Sequence, residues 1–184
     1  MFFRIRIKSS IWSSFYAEVY TADEKLVYIV EEETGSLWRK IVRLTKFRTA
    51  LALKVFIREV SSNCFYLFTR ASGFSSNYFV KDGFGKTICE IKPVGMIIHS
   101  HYDILDEYGM VIGKYIYYNP FVLGPQKGDV KDNAGNVICE FEWERPGLLK
   151  SPRECKINID KYERPWDIIS IVVPILKAFG FEKR

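Results

Sequence analysis

The chain has 184 residues, 48% hydrophobic, 16% aromatic and 27% charged, with 27 Lys plus Arg against 22 Asp plus Glu and a formal net charge of +5. This composition excludes disordered, collagen-like and coiled-coil chains, and the length is enough for one core without disulfide staples. The excess charge is too small for a strongly basic nucleic-acid tail, and it is uneven: residues 1–58 carry eleven basic and six acidic side chains, residues 59–184 sixteen of each.

Alternation of apolar and polar residues predicts strands at 2–8, 15–21 and 26–32. In the first, Arg4, Arg6 and Lys8 share one face, because side chains alternate with period two. The alternation begins at Met1, without the charged region, apolar run and cleavage site of a secretory leader. No C-x-x-C pair occurs among Cys64, Cys89, Cys139 and Cys155. Both observations lead us to expect a cytoplasmic protein with reduced thiols. Glu31, Glu32 and Glu33 then form an acidic knot, and from Arg39 to Arg58 there are seven basic residues and no acidic one. Within that run, Ser36–Lys46 predicts an amphipathic helix. Leu37, Ile41 and Leu44 lie on one face with Trp38 and Val42 beside them, and Arg39, Lys40 and Arg43 lie opposite.

Further strands are predicted at 49–59, 63–70, 77–82, 86–92, 97–105, 110–118, 136–144 and 154–160. An internal repeat D-x-x-G-x-x-I begins at Asp82, Asp106 and Asp132, in copies 24 and 26 residues apart. Each copy reads as a hairpin turn in which the Asp bonds backbone amides and the Gly supplies a positive φ. A degenerate copy is expected at Ala22–Val27, with Asp23-Glu24-Lys25 as its turn. The repeat lacks the further oxygen ligands of a calcium loop. Cys89 and Cys139 occupy equivalent repeat positions, which predicts a packing role.

The most apolar segment, Ile168–Phe179, is shorter than the roughly 20 residues that cross a bilayer. Its β-branched residues and Pro174 favour a strand, whereas Pro165, Lys177 and Gly180 favour a helix; the local signals leave both open.

These patterns together resemble the tubby-like superfamily, closest to its phospholipid scramblase and LURP-one-related branch. The resemblance is carried by the D-x-x-G hairpins, by the acidic-then-basic stretch Val30–Arg39, by Tyr108-Gly109-Met110-Val111-Ile112-Gly113-Lys114, and by Pro165-Trp166 ahead of an apolar segment. It implies a mainly β fold: one closed antiparallel barrel of about twelve strands over residues 1–184, wrapped around a buried apolar C-terminal helix at Pro165–Phe179. The Pro-rich extension and acylated cysteine cluster of animal scramblases are absent. The acidic segment that family members carry before the helix has only a loose counterpart in Asp160, Glu163 and Asp167, interleaved with Lys161 and Arg164.

Four chemistries bear on these residues. Arg4, Arg6 and Lys8 with Arg39, Lys40 and Arg43 would offer an anionic phospholipid surface about 1 kcal/mol per basic group, with Trp38 and Phe47 at the interface. His99, His101 and Asp103 would share one strand face and are weak metal candidates, without a fourth ligand. The G-x-S-x-G elbow, the Walker loop and the G-x-G-x-x-G fingerprint are absent, so no catalytic residue and no cofactor is assigned. Nucleic acid is disfavoured, because the aromatics alternate as core residues and no RNP or OB signature stands out. The expectation is a non-enzymatic protein, peripheral at a membrane, that binds anionic phospholipid as an adaptor or regulator. A protein-interaction or small-ligand barrel is the alternative.

Overall fold

A computed structural model describes residues 1–8, 15–33, 53–62, 64–70, 77–94, 101–118, 126–144 and 154–181. Among these described residues twelve strands precede one helix. They are β1 (Phe2–Ile7), β2 (Tyr16–Thr21), β3 (Leu26–Glu32), β4 (Leu53–Glu59), β5 (Phe65–Arg70), β6 (Tyr78–Lys81), β7 (Thr87–Pro93), β8 (His101–Leu105), β9 (Val111–Tyr118), β10 (Gln126–Asp132), β11 (Val137–Trp143) and β12 (Glu154–Ile159). The helix, α1, spans Trp166–Phe181. Each strand pairs antiparallel with its sequence neighbours, and β1 closes the barrel on β12 with Phe3 opposite Ile157 and Ile5 opposite Cys155.

Period-two alternation decides which side of each strand faces inward. In β1, Phe3, Ile5 and Ile7 are buried while Phe2, Arg4 and Arg6 face outward. The inner face continues through Val30, Ile57, Phe68, Ile91, Ile104, Tyr115, Phe141 and Ile157, all buried. The core helix fills this lumen. Ile168, Ile169, Ile171, Val172, Val173 and Ile175 occupy every side of α1 and all are buried, which happens only when the surroundings are apolar in every direction. Each such side chain contributes about 2 kcal/mol by leaving water. This resolves the strand-or-helix ambiguity, because the lumen rewards β-branched side chains on all faces and offsets the hydrogen bond that Pro174 removes. The backbone continues helical through Gly180 to Phe181, so Gly180 is not the end signal that the sequence suggested.

Two sequence expectations change here. The segment Gln126–Asp132 is a strand that periodicity missed. Its inner face carries Gly128, where a Cβ would lie 2.5 Å from the Phe141 ring, so a neighbour's aromatic side chain fills the place of an apolar residue. The turn between β2 and β3 is framed two residues earlier than expected. Thr21 takes the place of the Asp, and Glu24 takes the place of the Gly with φ +58°. The three full repeat turns are built as predicted. Asp82 Oδ1 accepts from the Phe84 and Lys86 amides at 2.9 Å, Asp106 Oδ1 does the same for Tyr108 and Met110, and Gly85, Gly109 and Gly135 have φ of 81–86°. The predicted helix at 36–46 lies outside the described residues.

The antiparallel order gives the barrel two unlike ends. The short turns after β2, β4, β6, β8 and β10, and the entry to α1 after β12, all lie at one end, here the hairpin end. At the other end lie the close of β1, β3 and β11 and the start of β2, β4 and β12.

Candidate functional site

The outer face of β1 was the first candidate, and the structure gives each of its cations a carboxylate. Arg4 and Arg6 both contact Glu24, whose left-handed backbone brings its side chain across β1, and both reach Glu154 on β12. Arg6 Nη1 lies 2.7 Å from Glu24 Oε2, Arg4 Nε lies 3.0 Å from Glu154 Oε1, and the Arg6 guanidinium sits 5.0 Å from the centre of the Tyr20 ring. The hydrogen bonds that Arg6 donates to Glu24 are the main reason that it holds its proton more tightly than usual. Lys8 contacts Glu18, which also accepts from the Tyr16 and Tyr20 hydroxyls. Lys8 first, then Tyr20, hold the Glu18 carboxyl below its ordinary range. Arg4, Arg6 and Lys8 thus converge on one face, as the alternation predicted, but that face is electrically balanced. Arg39, Lys40 and Arg43 lie outside the described residues.

Charge sorts by barrel position rather than by chain thirds. The links 33–52, between β3 and β4, and 144–153, between β11 and β12, hold eight basic side chains, five in the first and Arg145, Lys150 and Arg153 in the second, with Glu33 and Glu144 as their acidic ones. The rest of the chain holds nineteen basic and twenty acidic. The facing strand ends of both links lie at the same end of the barrel with β1 and β2 between them. The Arg145, Lys150 and Arg153 group was not picked out in the sequence. The signal was a local excess that only topology relates to Arg39–Arg48.

The hairpin end has the opposite character. Its turns and the α1 entry, over residues 22–25, 59–62, 82–86, 106–110, 132–136 and 160–167, hold ten acidic and four basic side chains. A cleft of about 390 Å³ opens there between the β6–β7 turn, the β8–β9 turn and the start of α1. Pro165 and Ile88 supply apolar surface, with buried Ile168 behind them, and Tyr66, Tyr108, Asp82, Asp106 and Glu107 are among its polar lining. Its two cations are engaged. Lys86 Nζ lies 2.6 Å from Glu107 Oε2, which ties the two turns together, and Arg164 Nη2 donates to the Tyr66 hydroxyl at 2.6 Å. Beside the cleft stand Phe84, fully exposed, and Tyr108, 79% exposed. Both hold the third position of a D-x-x-G turn, a place where the third copy has Ala134. Reading the repeat only as turn chemistry passed over these two aromatics.

The remaining candidates are placed as follows. His101 and Asp103 lie on β8, and His99 lies outside the described residues; Asp103 is opposite Lys92 and Lys114 on the neighbouring strands. Among the described residues no three His, Cys, Asp or Glu side chains are grouped so as to hold a metal ion. Cys89 and Cys139 are buried on the inner face, where burial pushes each thiol up to about 12. They are packing residues, far from thiolate reactivity at neutral pH. No helix among the described residues is long and apolar enough to cross a membrane.

No family model and no curated protein matches this chain. Its fold is similar to the X-ray structure of a protein from Arabidopsis thaliana. The TM-score is 0.55, with 97% of this chain and 91% of that one covered at 10% identity. Likeness at this identity speaks for the barrel.

Proposed function

We propose that the protein is a non-enzymatic barrel of the tubby-like kind, related to the scramblase and LURP-one-related branch, that docks on anionic phospholipid surfaces as an adaptor or regulator. One observation carries this reading. The whole positive excess of the chain lies in two links at one barrel end: 33–52 and 144–153 hold eight basic and two acidic side chains, and the rest of the chain nineteen basic and twenty acidic. An acidic hairpin end would be repelled by the same surface, so the charge also orients the molecule. The lipid contacts are assigned to Arg39, Lys40 and Arg43, joined by Arg145, Lys150 and Arg153. Of the β1 cations only Lys8, bound to Glu18, lies at that end, while Arg4 and Arg6 are drawn toward the hairpin end by Glu24.

The test is sedimentation with vesicles of phosphatidylcholine alone or with about 30% phosphatidylserine, at about 50 mM and about 300 mM NaCl. Enrichment on the anionic vesicles is expected at low salt and should fall steeply at high salt. R39E/K40E/R43E should abolish it, whereas R4Q/R6Q should leave most of it. Equal sedimentation with both vesicle types at low salt would mean that the basic segments serve only as counter-charges to glutamates such as Glu31 and Glu33, and would sink the reading.

A further inference from the structure

The hairpin end carries a second surface, independent of the lipid reading. Phe84 and Tyr108 project from neighbouring turns beside a cleft whose floor is apolar, and they are among the most exposed large apolar side chains described. A turn does not require an aromatic residue at that position, since Ala134 serves in the third copy. Aromatic side chains beside a groove are the usual anchors of recognition surfaces. Two carboxylates complete the picture. Asp82 and Asp106 each commit Oδ1 to two turn amides, and among the described residues no donor reaches either Oδ2. Each therefore keeps one oxygen available to a cation at the rim of the cleft. The cations already present are occupied, Lys86 by Glu107 and Arg164 by Tyr66.

The geometry points to this cleft as the docking site of a lysine- or arginine-rich peptide segment of a partner protein. Apolar side chains of that segment rest on Phe84, Tyr108 and the Pro165–Ile88 floor, and its basic side chains meet Asp82 and Asp106. Charge selects this occupant. A second copy docking by the same end would bring one acidic end against another, an anionic membrane would meet the same repulsion, and a head-to-tail copy is the case that the dimerisation outcome below reads. With lipid at one end and a basic segment at the other, the barrel would act as a bridge.

The assay is fluorescence anisotropy with a fluorescein-labelled peptide of alternating lysine and leucine, against the same peptide with glutamate for lysine. The lysine peptide should bind and the glutamate peptide should not. F84S/Y108S should weaken binding about tenfold, as loss of two aromatic anchors does. D82N/D106N should weaken it about tenfold as well, because Asn still accepts the turn amides while the charge is gone. Both variants should keep the parent's circular dichroism and its vesicle sedimentation, so failure here is distinct from failure of the lipid reading. Equal affinity for the two peptides, or parent-like binding by both variants, would overturn the assignment. So would dimerisation of the free protein that F84S/Y108S abolishes, which would give the patch to a second copy.

Discussion

The two ends of the barrel solve the same connection problem in different ways. At the hairpin end the links run to four or five residues, their carboxylates are partly spent on turn amides, and ten acidic side chains stand against four basic. At the other end two of the links, 33–52 and 144–153, are long and carry eight basic side chains against two acidic. Short turns leave little sequence free, so function there has to be added at single positions such as Phe84 and Tyr108. Long links can change their charge wholesale without touching the core.

The comparison can be tested first through Gly113, which lies on the inner face of β9 beneath the entry to α1. A Cβ there would stand 2.3 Å from the Lys131 carbonyl oxygen and 2.9 Å from Trp166 Cη2. Gly113→Ala should therefore cost about 3 kcal/mol in urea unfolding, because backbone on one side and the helix on the other must move. Gly109→Ala should cost less, about 1 kcal/mol, since its Cβ meets nothing within 4 Å and only φ +81° opposes it. If the two variants were equally stable, the helix entry would not be the tightly fitted point that distinguishes this end.

The smallest effects concern pH, and the two ends should differ in sign. Glu18 has its folded pKa depressed, chiefly by Lys8, so its contribution is present above its unfolded pKa and is lost as pH falls through the folded value. Asp167 has its folded pKa raised by burial, so its ionisation destabilises the fold as pH climbs past the unfolded value. Glu18→Gln should flatten the acid limb of a stability-against-pH curve. Asp167→Asn should stabilise at pH 7, with its amide oxygen still able to accept from the Ile168 amide, and the gain should vanish in acid below the usual carboxylate range. Parallel curves for the two variants would contradict the assignment.

Much of the barrel is legible in the sequence because its parts are local. Period-two alternation marks β1, β2 and β3, and D-x-x-G marks three turns, since an Asp carboxylate and a Gly φ act within five residues. The strand β10 is not legible, because Gly128 is explained by the Phe141 ring on another strand. The helix is ambiguous locally, since its propensity is poor and only the enclosing strands reward it. The β1 cations are legible as a shared face, but their neutralisation is not: Glu154 lies at the far end of the chain and becomes a neighbour only when β12 closes on β1. The charge count is likewise correct by residue, yet it acquires meaning when sorted by barrel end rather than by chain third.

Closure of β1 on β12 also sets a timetable for synthesis. The first strand to leave the ribosome must wait for the last one, and the helix that fills the lumen is translated later still. Until then the apolar inner faces of the earlier strands have no filling, so the nascent chain holds a half-made barrel until α1 has emerged. Its interval of exposure is governed by chain length rather than by turn formation, and the D-x-x-G turns, which form locally and early, keep neighbouring strands in register during that wait.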